Sequence, residues 1–207
     1  MKTVSKIAEI REIVSQWKSQ NKSVGLVPTM GFLHDGHGSL IKKAVEENDV
    51  VIVSNFVNPT QFSANEDLDS YPRNLEADYE LCKNLGTDLM FTPAPEEMYD
   101  NPLTFVDIGL LSDELCGKSR PTHFRGVCTV VTKLFNITKA DKAYFGEKDA
   151  QQLIIIKKMA KDLNIDIKVV GCPIVREKDG LAMSSRNTYL NPQKKKATTC
   201  LFFLQSD

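Results

Sequence analysis

Apolar positions along this chain change period repeatedly, and the changes divide it into alternating helices and strands. Ile7, Ile10, Ile13, Val14 and Trp17 recur at helical spacing, which predicts an amphipathic helix over residues 5–20. Residues 24–27 form an apolar run of strand length, and residues 50–57 form a longer one that opens with Val50, Val51, Ile52 and Val53. Residues 38–48 between them read as a helix, and Asn58-Pro59-Thr60-Gln61 breaks the second run. A helix over 74–85, a short strand over 88–91 and a loop with Pro93, Pro95 and Pro102 follow. Residues 104–108 read as another strand, 124–137 as an apolar helix, 142–145 as a short strand, 149–163 as a helix and 166–172 as a strand.

Strands that alternate with helices predict an α/β fold, a doubly wound parallel sheet covered on both faces. In such sheets ligands bind beyond the carboxyl ends of the strands. The polar candidates of this chain gather there, after Val27, after Val57 and after Phe145. The sequence has no internal repeats and no low-complexity tracts.

At 207 residues the chain can bury one good core and a small second unit. A net charge of −1 gives no reason to expect nucleic acid or an anionic membrane as a partner. The one dense basic run, Lys194-Lys195-Lys196, reads as a solvated helix face. No apolar stretch approaches the roughly 18 residues of a membrane span, and the first residues lack the apolar segment of a secretory signal. Five dispersed cysteines without a C-x-x-C pair fit reduced thiols in a cytoplasmic protein, with Cys128 and Cys172 in apolar surroundings that suit small core residues.

The strongest chemical signal is Pro28-Thr29-Met30-Gly31-Phe32-Leu33-His34-Asp35-Gly36-His37, between a strand and a helix. Unpaired N–H groups and partial positive charge at a helix N-terminus suit phosphate. Gly36 permits close backbone approach, and His34 and His37 add side-chain donors. Either histidine could instead be structural. Zinc is a weak rival, because no third ligand stands at metal spacing and the H-E-x-x-H glutamate is absent.

Three further segments carry polar groups, the first two of them at strand ends. Gln61 could donate and accept toward a small polar substrate, or serve only the Asn58-Pro59 turn. In Gly146-Glu147-Lys148-Asp149-Ala150-Gln151-Gln152, Lys148 could meet phosphate, and Asp149 could cap a helix or bind a ribose hydroxyl. Gln152 lies one turn into that helix. Met183-Ser184-Ser185-Arg186 is a compact anion-binding set or a polar loop. Asp78 is an acidic candidate for magnesium or a solvated carboxylate, and His123 and Arg125 could face the same crevice or cap the apolar helix.

Together these segments resemble the pantothenate synthetase (pantoate–β-alanine ligase) family, within the H-x-G-H nucleotidyltransferase superfamily. The matching motifs stand in order at 28–37, at 57–62 (Val-Asn-Pro-Thr-Gln-Phe), at 123–127 (His-Phe-Arg-Gly-Val), at 145–153 and at 183–187. The resemblance spans about residues 1–190. It implies a Rossmann-like ATP- and pantoate-binding domain over residues 1–175. Residues 176–207 would begin a truncated C-terminal lid domain. The implied reaction joins (R)-pantoate to β-alanine through a pantoyl adenylate, releasing pyrophosphate and AMP, with magnesium on the nucleotide.

Carried over by position, the resemblance places Met30, Gly31, Phe32, Leu33, His34, Asp35, Gly36 and His37 along ATP. Gly146, Glu147, Lys148, Asp149 and Val175 join them, as do Met183, Ser184, Ser185 and Arg186. It implies catalytic roles for His37, His34, Lys148 and Arg186, with His37 as proton donor. Gln61 and Gln152 would hold pantoate, Gln61 would also lie near β-alanine, and Asp78 would contribute to the metal. It further implies a homodimer.

A nucleotidyltransferase that leaves its nucleotide on the product, and a non-catalytic nucleotide-binding fragment, are the competing expectations. Two departures from the family pattern stand out. Gly38 should loosen the first helical turn by about 0.5–1 kcal/mol relative to alanine, and Asn55, in a buried strand, needs a polar partner.

Overall fold

The computed structural model describes residues 1–63, 66–191, 193–195 and 197–198. Its framework is one six-stranded, fully parallel sheet: β1 (Lys2–Val4), β2 (Val24–Thr29), β3 (Val50–Asn55), β4 (Leu89–Phe91), β5 (Lys142–Gly146) and β6 (Lys168–Cys172). The strand order is β1-β4-β3-β2-β5-β6. Helices α1 (Ile7–Ser19), α2 (Asp35–Glu47), α3 (Leu75–Asn84), α4 (Pro95–Met98), α5 (Cys116–Ser119), α6 (His123–Thr138) and α7 (Ala150–Asp162) connect the strands.

The central strands read as unbroken apolar runs because both of their faces are covered. Val50 and Ile52 of β3 enter the cluster with Ile10 and Val14 of α1, the apolar stripe of α6 and Ile155 and Ile156 of α7. Val51 and Val53, one residue out of phase, enter the opposite cluster with Leu40, Ile41 and Ala44 of α2 and Cys82 of α3. Alternation therefore splits one run between two cores. Burial pushes the Cys82 and Cys128 thiols up to about 12, and Cys172 is buried as well. These are packing residues; Cys200 lies outside the described residues.

Strand order reverses direction at β2, which pairs with β3 on one side and β5 on the other. Such a switch point opens a crevice at the carboxyl ends of the two strands. Here the ends are Thr29 and Gly146, so topology brings the 28–37 and 145–153 motifs together.

Three sequence expectations are corrected, and one strand is added. Residues 104–108 are not a strand: the Val106 N–H donates to the Thr129 hydroxyl (3.0 Å), so an α6 side chain replaces a neighbouring strand. Strand β1 escaped notice because three residues are too short to show a period. Helix α2 starts at Asp35 rather than 38, for a reason given below. The 50–57 strand ends at Asn55.

Gly38 is buried, and a Cβ there would sit 3.3 Å from Leu85 Cδ1, so the side chain of Leu85 fills the space a larger residue would take. In the basic run, Lys195 pairs with Glu177 and reaches Asp179, Lys194 is exposed, and Lys196 lies outside the described residues. Among the described residues no helix is long and apolar enough to cross a membrane.

Candidate active site

The turn between β2 and α2 is held by three separate devices. Gly31 adopts φ +81°, and a Cβ there would stand 2.5 Å from Asn55 Oδ1. Gly31→Ala is therefore expected to destabilise the fold by about 1–3 kcal/mol, through backbone strain and that clash. Thermal unfolding measures it, and an unchanged midpoint would show that the turn relaxes freely. Phe32 also lies at positive φ, 49°. The second device is Asp78, whose carboxylate accepts from the Phe32 N–H (2.8 Å), the Leu33 N–H (2.6 Å) and Asn55 Nδ2 (2.8 Å). Asn55 thus has the buried partner its position demands. The third is the Ser185 hydroxyl, which donates to the Phe32 carbonyl at 3.1 Å.

His34 then starts α2. Its Nδ1 accepts from the Gly36 N–H at 3.1 Å, and the His37 Nδ1 accepts from the His34 N–H at 3.3 Å. This is a reciprocal capping box built from imidazoles, and it explains the early start of the helix. It also fixes the tautomers. A neutral ring whose Nδ1 accepts must carry its proton on Nε2. Burial, then His34, then Lys148 push His37 down to about 3, and burial with Lys148 lowers His34 as well. Both rings, 4.1 Å apart, are neutral Nε2–H donors at physiological pH.

Stability carries the same signature. An unfolded His37 takes a proton below about pH 6.5, while the folded ring stays neutral to about 3. Between these values the unfolded chain binds more protons. Stability is complete above about pH 6.5 and falls as pH drops through that window, by up to about 1.4 kcal/mol per unit from this group. Urea unfolding at pH 7.5 and pH 5 measures the slope, and His37→Gln is expected to flatten it. A variant slope equal to wild type would contradict the neutral ring.

The opposite wall comes from β5 and α7. A 3-10 turn, Glu147–Asp149, follows Gly146 and directs Lys148 into the cleft. Asp149 makes no capping hydrogen bond, and its carboxylate is largely exposed, 3.8 Å from Lys148 Nζ. The apolar face of α6, through Val127, Val130, Val131 and Leu134, forms the floor with Phe56 and Phe145. Gln61 and Gln152 line the same space. The Gln61 amide is oriented at both ends, its Oε1 accepting from Asn58 Nδ2 (3.1 Å) and its Nε2 donating to Met30 Sδ (3.1 Å). Gly126 of α6 presses on the Thr60 carbonyl and Gln61 Cα, where any Cβ would collide.

Beyond β6 the chain turns back over the cleft. The Met183 N–H donates to the Val175 carbonyl (3.0 Å), and Ser184 caps the 3-10 turn Ser185–Tyr189. Arg186 reaches the cleft with its Nε and Nη2 already donated to Asp67 (2.9 and 2.8 Å).

Of the residues singled out in the sequence, Met30, His34, Gly36, His37, Gln61, Gly146, Lys148, Asp149, Gln152, Val175, Met183, Ser184, Ser185 and Arg186 line one cleft. Gly31, Phe32, Leu33, Asp35, Glu147 and Asp78 do not; the first three shape the turn. Asp78 commits both oxygens to main-chain N–H groups and Asn55, so in this structure it clamps the turn. Among the described residues no group of three or more His, Cys, Asp or Glu could hold a metal, so the side chains present do not fit a protein-built magnesium site. Sequence reasoning missed Tyr71 and Ser54, which line the cleft from a loop and from β3 and belong to no chemical pattern. His123 is buried behind Gln61, while the Arg125 guanidinium stacks on Phe105.

Comparisons with known proteins agree with this fold and these motifs. The family model described as pantoate-beta-alanine ligase matches residues 2–205. A pantothenate synthetase of Ruminiclostridium cellulolyticum is 61% identical over 97% of this chain and 72% of its own length. One from Enterococcus faecalis is 63% identical over 94% and 70%. The crystal structure of pantothenate synthetase from Thermus thermophilus superposes with a TM-score of 0.93 at 47% identity, covering 98% of this chain and 72% of that one. The pantoate-beta-alanine ligase of Francisella tularensis, crystallised in complex with beta-gamma ATP and beta-alanine, gives 0.94 at 43% identity, covering 100% and 80%. A cleft at the strand switch point, lined by all five motifs, and this likeness over nearly the whole chain lead to one conclusion: the chain belongs to the pantoate–beta-alanine ligase family.

Proposed function

We propose that this ligase works in two steps in the cleft between β2 and β5. In the first, a pantoate carboxylate oxygen attacks the α-phosphorus of ATP and pyrophosphate leaves. In the second, the β-alanine amine attacks the acyl carbon of the pantoyl adenylate. AMP leaves, the amide forms and the amine loses a proton. The observation that carries the reading is the imidazole capping box, which presents two neutral Nε2–H donors near Lys148, in a cleft that Arg186 also lines. Charge moving onto a leaving phosphate needs preorganised donors and cations, since phosphoryl chemistry is chiefly positioning and electrostatics.

In this reading the nucleotide runs along the 30–37 turn, with its phosphates at His34, His37, Lys148, Ser184, Ser185 and Arg186. Its ribose lies near Asp149 and its adenine against the backbone of Val175. The amides of Gln61 and Gln152 hold pantoate over the α6 floor, with β-alanine entering near Gln61. His37 donates as a neutral ring, through a hydrogen bond to a phosphoryl oxygen. A magnesium ion would have to arrive with the nucleotide rather than be held by these side chains, and would there neutralise phosphate charge. Residues 176–207 are read as the start of a second domain, of which Met183 to Arg186 line the cleft. The protein is a homodimer, a reading supported by Leu103, Leu110 and Leu115, which are 95%, 84% and 77% exposed on one connecting segment; sedimentation at twice the chain mass supports it and a monomer refutes it.

The test is release of AMP and pyrophosphate from ATP and pantoate, with and without β-alanine. Pyrophosphate without β-alanine, and AMP with pantothenate only when it is added, is the expected pattern. ATP turnover that ignores pantoate would overturn the assignment.

A further inference from the structure

Two consecutive acids on the loop between Gln61 and α3 hold one arginine each, and the arginines serve different parts of the cleft. The Glu66 carboxylate pairs with Arg120 through both Nε and Nη2, and it accepts from the Ser63 N–H at 2.8 Å. Arg120 Nη1 lies 3.2 Å from His123 Nε2. An arginine only donates, so that nitrogen accepts and the His123 proton sits on Nδ1. Nδ1–H then donates to the Gln61 carbonyl at 2.9 Å, and Arg120 Nη2 reaches the same oxygen at 3.5 Å. The chain Glu66–Arg120–His123 thus ends on the backbone of the amide that faces the cleft.

Asp67 acts on the other wall. Its oxygens take the Nε and Nη2 edge of Arg186, and Tyr189 Oη donates to it at 3.3 Å. The guanidinium lies 5.4 Å from the Tyr71 ring centroid. With one edge fixed in this way, the Nη1 group makes no hydrogen bond among the described residues, and Arg186 lines the cleft. A bidentate pair fixes the guanidinium plane as a single contact cannot.

We infer that Glu66 and Asp67 are paired positioning residues: Glu66, through Arg120 and His123, sets Gln61 for the carboxylic substrate, and Asp67 sets Arg186 for the nucleotide phosphates. Neither acid touches a reacting atom. The inference rests on the two-substrate reading above, and it makes a crossed prediction that a purely structural loop would not. Glu66→Gln keeps size but lowers the charge that holds Arg120, and pantoate affinity falls about tenfold while ATP affinity is unchanged. Asp67→Asn replaces one of the two acceptors of Arg186, and ATP affinity falls about tenfold with pantoate affinity unchanged. Arg120→Lys, which cannot span Glu66 and His123 together, repeats the Glu66→Gln pattern.

The experiment is calorimetric titration of the full chain and the three variants with pantoate and with ATP separately, alongside KM for each in pyrophosphate release. The crossed loss supports the inference. Equal losses for both ligands, no loss, the reversed pattern, or tighter ATP binding in Asp67→Asn overturns it. A wild-type chain that binds neither ligand overturns the two-substrate reading itself, so the two failures are distinguishable.

Discussion

Replacing His37 by alanine lowers the rate of pyrophosphate release from ATP and pantoate by about 10²–10³-fold, the loss typical of one preorganised donor to a developing oxyanion. Three features of the structure set that expectation. The ring is neutral, pushed down to about 3, so it keeps one N–H throughout the physiological range. Its Nδ1 is committed to the His34 backbone, so the N–H is the Nε2 one. Its neighbours are His34 and the cation Lys148, and Arg186 lines the same cleft. Alanine also removes a helix cap, at about 1 kcal/mol, so circular dichroism melting separates a lost donor from a lost fold. The effect should fall on kcat more than on the KM for ATP, because the donor strengthens as charge develops. A folded variant turning over at the wild-type rate would mean that His37 does nothing beyond capping α2.

Asp78→Ala costs about 3–5 kcal/mol of stability, with no ligand present. The carboxylate is 2% exposed and accepts three N–H groups, two of them from the backbone of a turn with Gly31 and Phe32 at positive φ. Alanine would leave the Phe32 and Leu33 amides and the Asn55 side chain without partners, and a small domain has only about 5–15 kcal/mol in total. Urea unfolding followed by the fluorescence of Trp17, the single tryptophan, measures the change. A loss below about 1 kcal/mol would return Asp78 to the status of a solvated acid. Asp78→Asn keeps one acceptor but turns an NH2 group toward a backbone N–H, so it recovers only part of the loss.

The assignments of Asp78 and Arg186 show where sequence reasoning reached its limit. An acid on a helix near a phosphate motif is a fair metal candidate until the fold brings two backbone amides onto it. Arg186 stands in an anion-binding pattern, yet its first partner is Asp67, 119 positions away. No local pattern pairs residues at that separation. Helix α2 could not be started correctly because histidine is not among the usual capping residues. The 104–108 segment has strand composition but no strand beside it, only the Thr129 hydroxyl.

What the sequence determined by itself was the class of fold, through unbroken apolar runs between helical periods, and the gathering of three polar segments at one end of the sheet, through their placement after Val27, Val57 and Phe145; the other two motifs joined them only through the family resemblance. Both follow from short-range chemistry: burial on two faces removes polar alternation, and strand ends are where a parallel sheet exposes functional groups. Only the tertiary structure decided the state of those groups. Neutral Nε2–H histidines, an Asp78 spent on a turn, and arginines held by Glu66 and Asp67 all depend on burial and on partners remote in sequence. Protonation and pairing are properties of the assembled cleft.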